Sequence, residues 1–219
     1  MNLLYYLQFY INSLISFLII GTYTAYIDFS DKALENRIQH NDIVKIKNIY
    51  KKVIPLVLFN LFISILLLSY FFINFIEYFN CSYYPDIYSI PKFFFYRYFV
   101  DVPFYLSHKL FHTRSLYKYH KVHHEIKEPI GISAFYLHPI DFIFANILPI
   151  HFLFVLLKPD FITLHLWNII TIFNTVYESH GGFSNLSEFH DIHHKLSKYN
   201  FGTNVFMDKL FKTKKELKQ

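Results

Sequence analysis

The chain has 219 residues, a length that suits a single domain, and a formal net charge of +5. Hydrophobic residues make up 53% of it and charged residues only 17%, which excludes an ordinary soluble domain. Its one cysteine, Cys81, excludes an intrachain disulfide and a metal site built from cysteines. The lysines are spread through loops and no nucleic-acid-binding module is visible, so we expect no nucleic-acid partner.

Residues 1–90 are predicted to hold membrane helices and one cytosolic loop. Residues 3–26 form an uncharged run long enough to cross a hydrocarbon layer of about 30 Å. A second run, residues 53–79, is uncharged until Glu77. Residues 28–52 between them are rich in lysine, which predicts that this loop faces the cytosol.

A third apolar segment, residues 93–110, is interrupted by two charged residues. Arg97 and Asp101 are four positions apart, so on a helix they share a face where they can pair. Ionisable residues in such a segment usually face a bundle interior or a cavity. Pro103 is expected to kink the helix or to end its regular part.

Two further apolar runs, residues 140–157 and 161–176, predict a helical hairpin joined by a turn at residues 158–160. Each run is short for a full membrane crossing. Residues 178–219 are polar and rich in lysine, which predicts a cytosolic location. With the N-terminus outside, the alternation of runs and loops places both histidine-rich stretches of the chain on the cytosolic face.

Those stretches contain one HxxxH pattern and two HxxHH patterns, which together comprise eight histidines. Chance would very rarely produce so many closely spaced histidines. The eight are His108 and His112, then His120, His123 and His124, then His190, His193 and His194. Spacings of three and four place side chains on one helical face. Neutral imidazole is a common ligand of iron, zinc, copper and nickel. Eight imidazoles without thiolates indicate two metal ions with coordination positions left open, and spacing alone does not choose between iron and zinc.

The three patterns, in this order, are highly specific. With the segments HKVHHEIKEPIGISAFYLHPIDF (120–142), TVYESHGGF (175–183) and NFGTNVFMDKLFKT (200–213), they resemble the fatty acid hydroxylase/sterol desaturase superfamily of membrane di-iron oxygenases. Within it the chain looks most like the C-4 methylsterol oxidase branch. The resemblance covers roughly residues 95–213, and the first 90 residues are similar only as membrane helices.

The resemblance implies an all-α, polytopic membrane bundle of about four to five membrane helices with a cytosolic, histidine-rich helical cap. Residues 91–219 would form a fatty acid hydroxylase-like catalytic domain. Val176 stands where some members have a further histidine, and His40, His151 and His165 are interpreted as structural. The implied iron ligands are His108, His112, His120, His123, His124, His180, His190, His193 and His194, with His138 and Asp141 as possible ligands or residues that support a ligand.

The implied activity is oxidation of a lipid C–H bond, by hydroxylation or desaturation, with two iron ions and O₂. Electrons would come from an external donor such as cytochrome b5 with its reductase. The expected location is the endoplasmic reticulum membrane, with the active site facing the cytosol.

A 4-methylsterol is the first candidate substrate, and the alternatives are a sterol ring position and a fatty acyl or sphingolipid chain. Only nine residues separate His180 from His190, a shorter connection than sterol oxidases usually have, which weakens the sterol assignment. The short spacing between His112 and His120 argues against acyl-CoA desaturases. A non-catalytic family member and a membrane metal-handling protein are the remote alternatives.

Overall fold

The structure is a computed structural model that describes residues 3–30, 35, 37–39, 42–78 and 81–216. It is 73% helical, and the described residues form no strand, which confirms the all-α class. The helices are α1 (Leu3–Asp28), α2 (Ile43–Phe59), α3 (Ile65–Tyr78), α4 (Ser89–Phe99), α5 (Asp101–Phe111), α6 (Tyr117–His120), α7 (Pro139–Asp141), α8 (Leu148–Leu156), α9 (Phe161–Phe173), α10 (Asn185–Leu196) and α11 (Phe206–Leu210).

Three π-helical turns continue these helices without a break. Asn60–Ser64 joins α2 to α3, Phe142–Ile147 joins α7 to α8, and Asn174–Ser179 extends α9. Two 3₁₀ turns, His123–Glu125 and Gly131–Phe135, lie between α6 and α7. The π turns widen the helices locally, and such turns are frequent at functional sites.

Two helices among the described residues are long and apolar enough to cross a membrane, Leu3–Asp28 and Ile43–Phe71. Large apolar side chains such as Leu3, Ile19 and Leu67 are about 60% exposed on them, as expected of surfaces that face lipid. The apolar helix Pro139–Leu153 is shorter. The total of four to five membrane helices and the cytosolic cap therefore stay predictions.

Helix α1 packs along α9 and α3 and also contacts the 3₁₀ turn Gly131–Phe135. Gly131 permits this contact, because a Cβ atom there would lie 2.6 Å from Thr24 Oγ1. The side-chain amide of Asn60 donates to the carbonyls of Phe135 (2.9 Å) and Leu137 (2.8 Å). The segment that follows the second histidine pattern is thus fixed against the first two long helices.

The third apolar segment is divided at Val100 into α4 and α5, with Pro103 in the first turn of α5. The expected pair between Arg97 and Asp101 does not form among the described residues. The Asp101 carboxylate instead accepts backbone N–H groups of Thr203 (2.7 Å), Asn204 (3.0 Å) and Met207 (2.7 Å). Three amide donors satisfy a carboxylate better than one long side chain, so Arg97 points elsewhere.

The predicted hairpin is present as α7–α8 followed by α9, with Lys158 in a left-handed conformation (φ 53°) at the turn. Asp160 caps α9 by accepting the backbone N–H of Thr163 at 2.7 Å. Helix α10, which carries the last histidine pattern, begins after Ser184, whose hydroxyl accepts the N–H of Ser187 at 3.1 Å. These caps fix where the helices that position the histidines begin.

Candidate metal centre

Nine histidines from five separate segments converge on two adjacent clusters at one end of the helical bundle. In each cluster, every residue offers one ring nitrogen, and these nitrogens lie within 4.8 Å of one another. The five-histidine cluster contains His108, His112, His120, His124 and His193, and the four-histidine cluster contains His123, His180, His190 and His194. The clusters touch, since the ring centroids of His124 and His194 are 4.8 Å apart.

Both HxxHH patterns are divided between the clusters. The neighbours His123 and His124 point to different clusters, and so do His193 and His194. Adjacent residues on a helix are rotated by about 100° from each other, so a histidine pair can serve two sites at once. Each HxxHH pattern therefore links the two clusters.

Local structure explains how the rings are aimed. His108 lies on α5 and His112 caps its C-terminal end, one turn away, with 5.2 Å between ring centroids. His120 ends the short helix α6, and His123 and His124 occupy the 3₁₀ turn, so the second pattern is not one continuous helix. The third pattern lies entirely on α10, and His180 directly follows the π turn after α9.

The separations between ring nitrogens match those of neighbouring ligands on one metal ion. In the five-histidine cluster, Nε2 atoms are 3.0 Å apart for His108 and His120 and 3.1 Å apart for His112 and His193. In the four-histidine cluster, His194 Nε2 lies 3.0 Å from that of His190. Metal–nitrogen bonds of about 2.1 Å at right angles place adjacent nitrogens about 3 Å apart. The donor set therefore fits one metal ion in each cluster.

Hydrogen bonds to the opposite ring nitrogens orient several of these imidazoles. Nδ1–H of His108 donates to the Phe201 carbonyl at 2.7 Å, that of His193 to the Tyr199 carbonyl at 2.7 Å, and that of His180 to the Thr175 carbonyl at 2.8 Å. A carbonyl only accepts, so Nε2 carries the lone pair that faces the cluster. The Phe201 ring covers His108, His112 and His193 at centroid distances of 5.1–5.8 Å.

Asp141 and His138 differ in their relation to the clusters. Asp141 Oδ2 accepts Nδ1–H of the buried His120 at 2.9 Å, the geometry that a residue supporting a ligand requires. His138 lies outside both clusters and caps α7, with its Nδ1 accepting the N–H of Ile140 at 3.2 Å. The structure thus brings Asp141, but not His138, to the centre.

The remaining positions singled out in the sequence lie away from the clusters. His151 and His165 line cavities among the apolar helices. Val176 is fully buried in the hydrophobic core and supplies no ligand. His40 lies outside the described residues.

Burial keeps the clustered imidazoles neutral. It lowers the pKa of His180 to about 4 and that of His124 to about 3. Burial, followed by the neighbouring imidazoles, lowers the pKa of His190 and His194 well below the ordinary value. Neutral imidazole is the form that binds metal, so the site is prepared for metal near neutral pH.

A buried polar network beside the four-histidine cluster could not be found from the sequence. The guanidinium of Arg37 pairs with Asp28 at 2.5 Å and donates to Gln39, whose amide donates to Asp191 Oδ1 at 2.9 Å. Asp191 lies between His190 and the last two histidines on α10. The backbone N–H of Ile38 donates to the Gly182 carbonyl at 2.9 Å. The only available signal was the aspartate inside the last histidine pattern.

The network leaves little space around Gly182. This residue has a φ of 86°, and a Cβ atom there would lie 2.1 Å from Gln39 Oε1. Gly182 is therefore needed both for close packing against Gln39 and for the turn before α10.

An apolar cavity lies beside the four-histidine cluster. It is lined mostly by apolar side chains that include Phe135, Leu137, Phe142 and Ile172. Thr175, whose carbonyl holds His180, also lines it. Through Thr175 and His180, the candidate metal centre therefore borders a space with mostly apolar walls, which suits an apolar molecule.

The fold and this histidine centre define a class of protein, and comparison with known proteins agrees. The fatty acid hydroxylase family model matches residues 93–213, more than half of the chain. The chain belongs to the fatty acid hydroxylase family, within the fatty acid hydroxylase/sterol desaturase superfamily. This membership and the two long apolar helices indicate a membrane protein.

The relatives include several enzyme types. The chain is 37% identical over 133 residues to a very-long-chain aldehyde decarbonylase, GL1-11, of Oryza sativa, covering 53% of this chain and 49% of the relative. It is 36% identical over 132 residues to methylsterol monooxygenase 2-2 of Arabidopsis thaliana, covering 52% and 49%. It is 30% identical over 190 residues to the fatty acid hydroxylase ahd1 of Mycosarcoma maydis, covering 77% and 46%. The chain spans about half the length of these curated relatives, and no solved structure matches it.

Proposed function

We propose that the chain is a membrane-bound, non-heme di-iron oxygenase that hydroxylates or desaturates a lipid. The convergence of nine imidazoles on two touching clusters beside an apolar cavity supports this proposal. Residues 91–219 would form the catalytic domain, and residues 1–90 would supply membrane helices and a cytosolic loop. A 4-methylsterol is the first candidate substrate, supported by the similarity to methylsterol monooxygenases.

Iron is the metal that best fits this donor set and family. The nine clustered histidines would be its ligands, five on one ion and four on the other. The clusters contain no thiolate, and Cys81 lies in the segment before α4, outside both of them. When bound, the iron pair would supply the activation of O₂ and the cleavage of an unreactive C–H bond.

The protein's own part is to orient ligands and exclude water. The carbonyls of Thr175, Tyr199 and Phe201 and the carboxylate of Asp141 hold four rings with Nε2 facing inward. Phe201 shields the five-histidine cluster from water. The cavity walls would hold the lipid with one carbon near the four-histidine cluster, which sets the position of oxidation.

The overall reaction requires an external source of electrons. Hydroxylation of R–H by O₂ consumes two electrons and two protons and gives R–OH and water, whereas desaturation removes two hydrogens and gives two waters. We propose cytochrome b5 with its reductase as the donor, as the resemblance to the superfamily implies. The proposed location is the endoplasmic reticulum, with the histidine clusters on the cytosolic side, where the lysine-rich loops would lie.

The function can be tested by lipid analysis in cells that lack their own sterol 4-methyl oxidase. Expression of the chain should lower the accumulated 4-methylsterols, and purified protein should contain iron. If 4-methylsterols persist while hydroxylated acyl chains appear, the substrate is a fatty chain. If no lipid changes and the protein contains no iron, the oxygenase proposal fails.

A matched pair of histidine variants separates metal binding from general stability. His123→Ala removes a member of the four-histidine cluster and should abolish both iron binding and lipid oxidation. His165→Ala, on an apolar helix away from both clusters, should retain both. Equal membrane insertion of the two variants, measured by fractionation, would show that the loss in His123→Ala arises at the metal site.

A further inference from the structure

A second, more polar pocket adjoins the apolar cavity. It lies between α4, α8 and α9. The two spaces share Ile150, Thr171 and Thr175 in their walls. Since the Thr175 carbonyl holds His180 and Ser179 also lines the pocket, the pocket borders the four-histidine cluster as well.

Arg97 gives this pocket a positive charge that no described residue neutralises. Asp101, one turn further along, is occupied by the backbone amides of Thr203, Asn204 and Met207. Arg97 forms no ion pair with any other described residue, and no acidic side chain lines the pocket. A partly buried guanidinium without a counter-charge beside apolar helices is unfavourable unless a ligand supplies the missing anion.

Uncommitted hydrogen-bond donors lie in the same pocket. The side-chain amide of Asn174 and the hydroxyl of Ser179 line it, and neither forms a hydrogen bond with a described residue. Both lie on the π turn Asn174–Ser179, at its first and last residues. A cation accompanied by neutral donors is the arrangement that binds an oxyanion.

We propose that Arg97 and this pocket bind the carboxylate of a lipid whose apolar body occupies the adjoining cavity. A guanidinium matches the two oxygens of one carboxylate, whereas a phosphate headgroup would demand more positive charge than this single cation. Arg97 would then determine substrate specificity by placing the lipid's polar end beside the metal centre. This inference rests on the proposed function and selects, among its substrates, a fatty acid or a sterol that carries a carboxylate over a neutral sterol.

The test is lipid binding by the full chain in detergent, with oleate and methyl oleate as probes. The unaltered protein should bind oleate at least tenfold more tightly than the ester, because the ester has no charge for Arg97. Arg97→Gln should weaken oleate binding about 10- to 100-fold, the value of a charge-assisted hydrogen-bonded pair, and leave the ester unchanged. Lys92→Gln, which removes the same charge from the same helix outside the pocket, should bind oleate normally.

Two results would overturn the proposal: equal affinity of the unaltered protein for oleate and its ester, or oleate binding by Arg97→Gln that equals that of Lys92→Gln. The ester comparison needs no variant, so it decides even if Arg97→Gln fails to fold. If a steroid carboxylate such as cholanate competes with oleate, the ligand is a sterol acid. If cholanate does not compete, the ligand is an acyl chain. Iron content and lipid oxidation are measured separately, so failure of the oxygenase proposal would be distinguishable from failure of the carboxylate site.

Discussion

The five-histidine cluster and the four-histidine cluster touch, yet they are held in place differently. Hydrogen bonds to Nδ1 fix His108, His120 and His193 in the first. Among the described residues of the second, the Thr175 carbonyl fixes only His180, and the buried Nδ1 atoms of His123 and His194 have no partner; in the first cluster His124 Nδ1 also has none. The four-histidine cluster also borders both cavities. We therefore expect the first cluster to be the more rigid metal site and the second to hold open the positions that O₂ and substrate require.

Removal of a ligand from either cluster should have the largest effect. His193→Ala and His194→Ala remove neighbouring rings on α10 that point to different clusters. Both should abolish lipid oxidation, because the reaction needs both ions, and each should lose half or more of the bound iron. Iron content and turnover are the measurements, and retention of full activity by either variant would contradict the two-metal arrangement.

Loss of the buried ion pair beside the four-histidine cluster should have the next largest effect. Arg37 and Asp28 have side chains that are 0% and 1% exposed, and Arg37→Met leaves Asp28 buried without its counter-charge. We expect a loss of about 3–5 kcal/mol in the free energy of unfolding. The control is Lys45→Met, which breaks the exposed pair with Glu128 and should cost about 0–1 kcal/mol. Thermal unfolding in detergent would measure both, and equal losses would refute the structural role of the network.

Altering the hydrogen bond from His120 to Asp141 tests how far metal binding in the five-histidine cluster depends on the residues that orient its rings. Asp141→Asn keeps the size of the side chain but removes the charge that holds the Nδ1 proton. Metal affinity should fall about 10- to 100-fold, the usual cost of losing such a support. Iron titration would measure it, and an unchanged affinity would show that packing alone orients the ring.

Acid should release the metal from both clusters and destabilise the metal-free protein. The folded-state pKa values of His180 (about 4) and His124 (about 3) lie below the unfolded value of about 6.5. Their contribution to stability is therefore complete above pH ~6.5 and is lost as the pH falls toward the folded values. Each such histidine should contribute a slope of about 1.4 kcal/mol per pH unit in that window. Melting temperatures between pH 5 and 8 would test this, and a flat profile would contradict it.

His138→Ala should have the smallest effect. The residue caps the three-residue helix α7 and lies outside both clusters. We expect a loss of about 1 kcal/mol in stability from the missing cap and unchanged iron content. A drop in bound iron comparable to that of His194→Ala would instead make His138 a ligand.

The sequence predicted which histidines converge better than how they are arranged. Histidine spacing predicted two metal ions, the pattern order indicated the family, and uncharged runs predicted the long helices α1 and α2–α3. In the second pattern the directions of the rings depend on the turn between His120 and His123, where α6 ends and a 3₁₀ turn begins. Periodicity along one helix does not predict such a break.

Contacts between residues that are distant in the sequence could not be predicted from residue spacing. Arg97 and Asp101 satisfied a local pairing rule, but the amides of residues 203–207 compete for the same carboxylate from a distant part of the chain. Arg37 and Gln39 looked like ordinary charged and polar residues of a surface loop, and only the fold shows them buried beside α10. Such contacts are set by tertiary packing, which one sequence without its fold does not show.

The division of each HxxHH pattern between the clusters has a consequence for biosynthesis. The five-histidine cluster needs His193, and the four-histidine cluster needs both His123 and His194, so the ligands of each ion are drawn from both ends of the domain. A nascent chain that has not emerged past residue 194 therefore contains neither complete site. Insertion of the proposed iron pair would therefore follow synthesis of the last histidine helix, and a chain that terminates early would lose both sites together instead of keeping one.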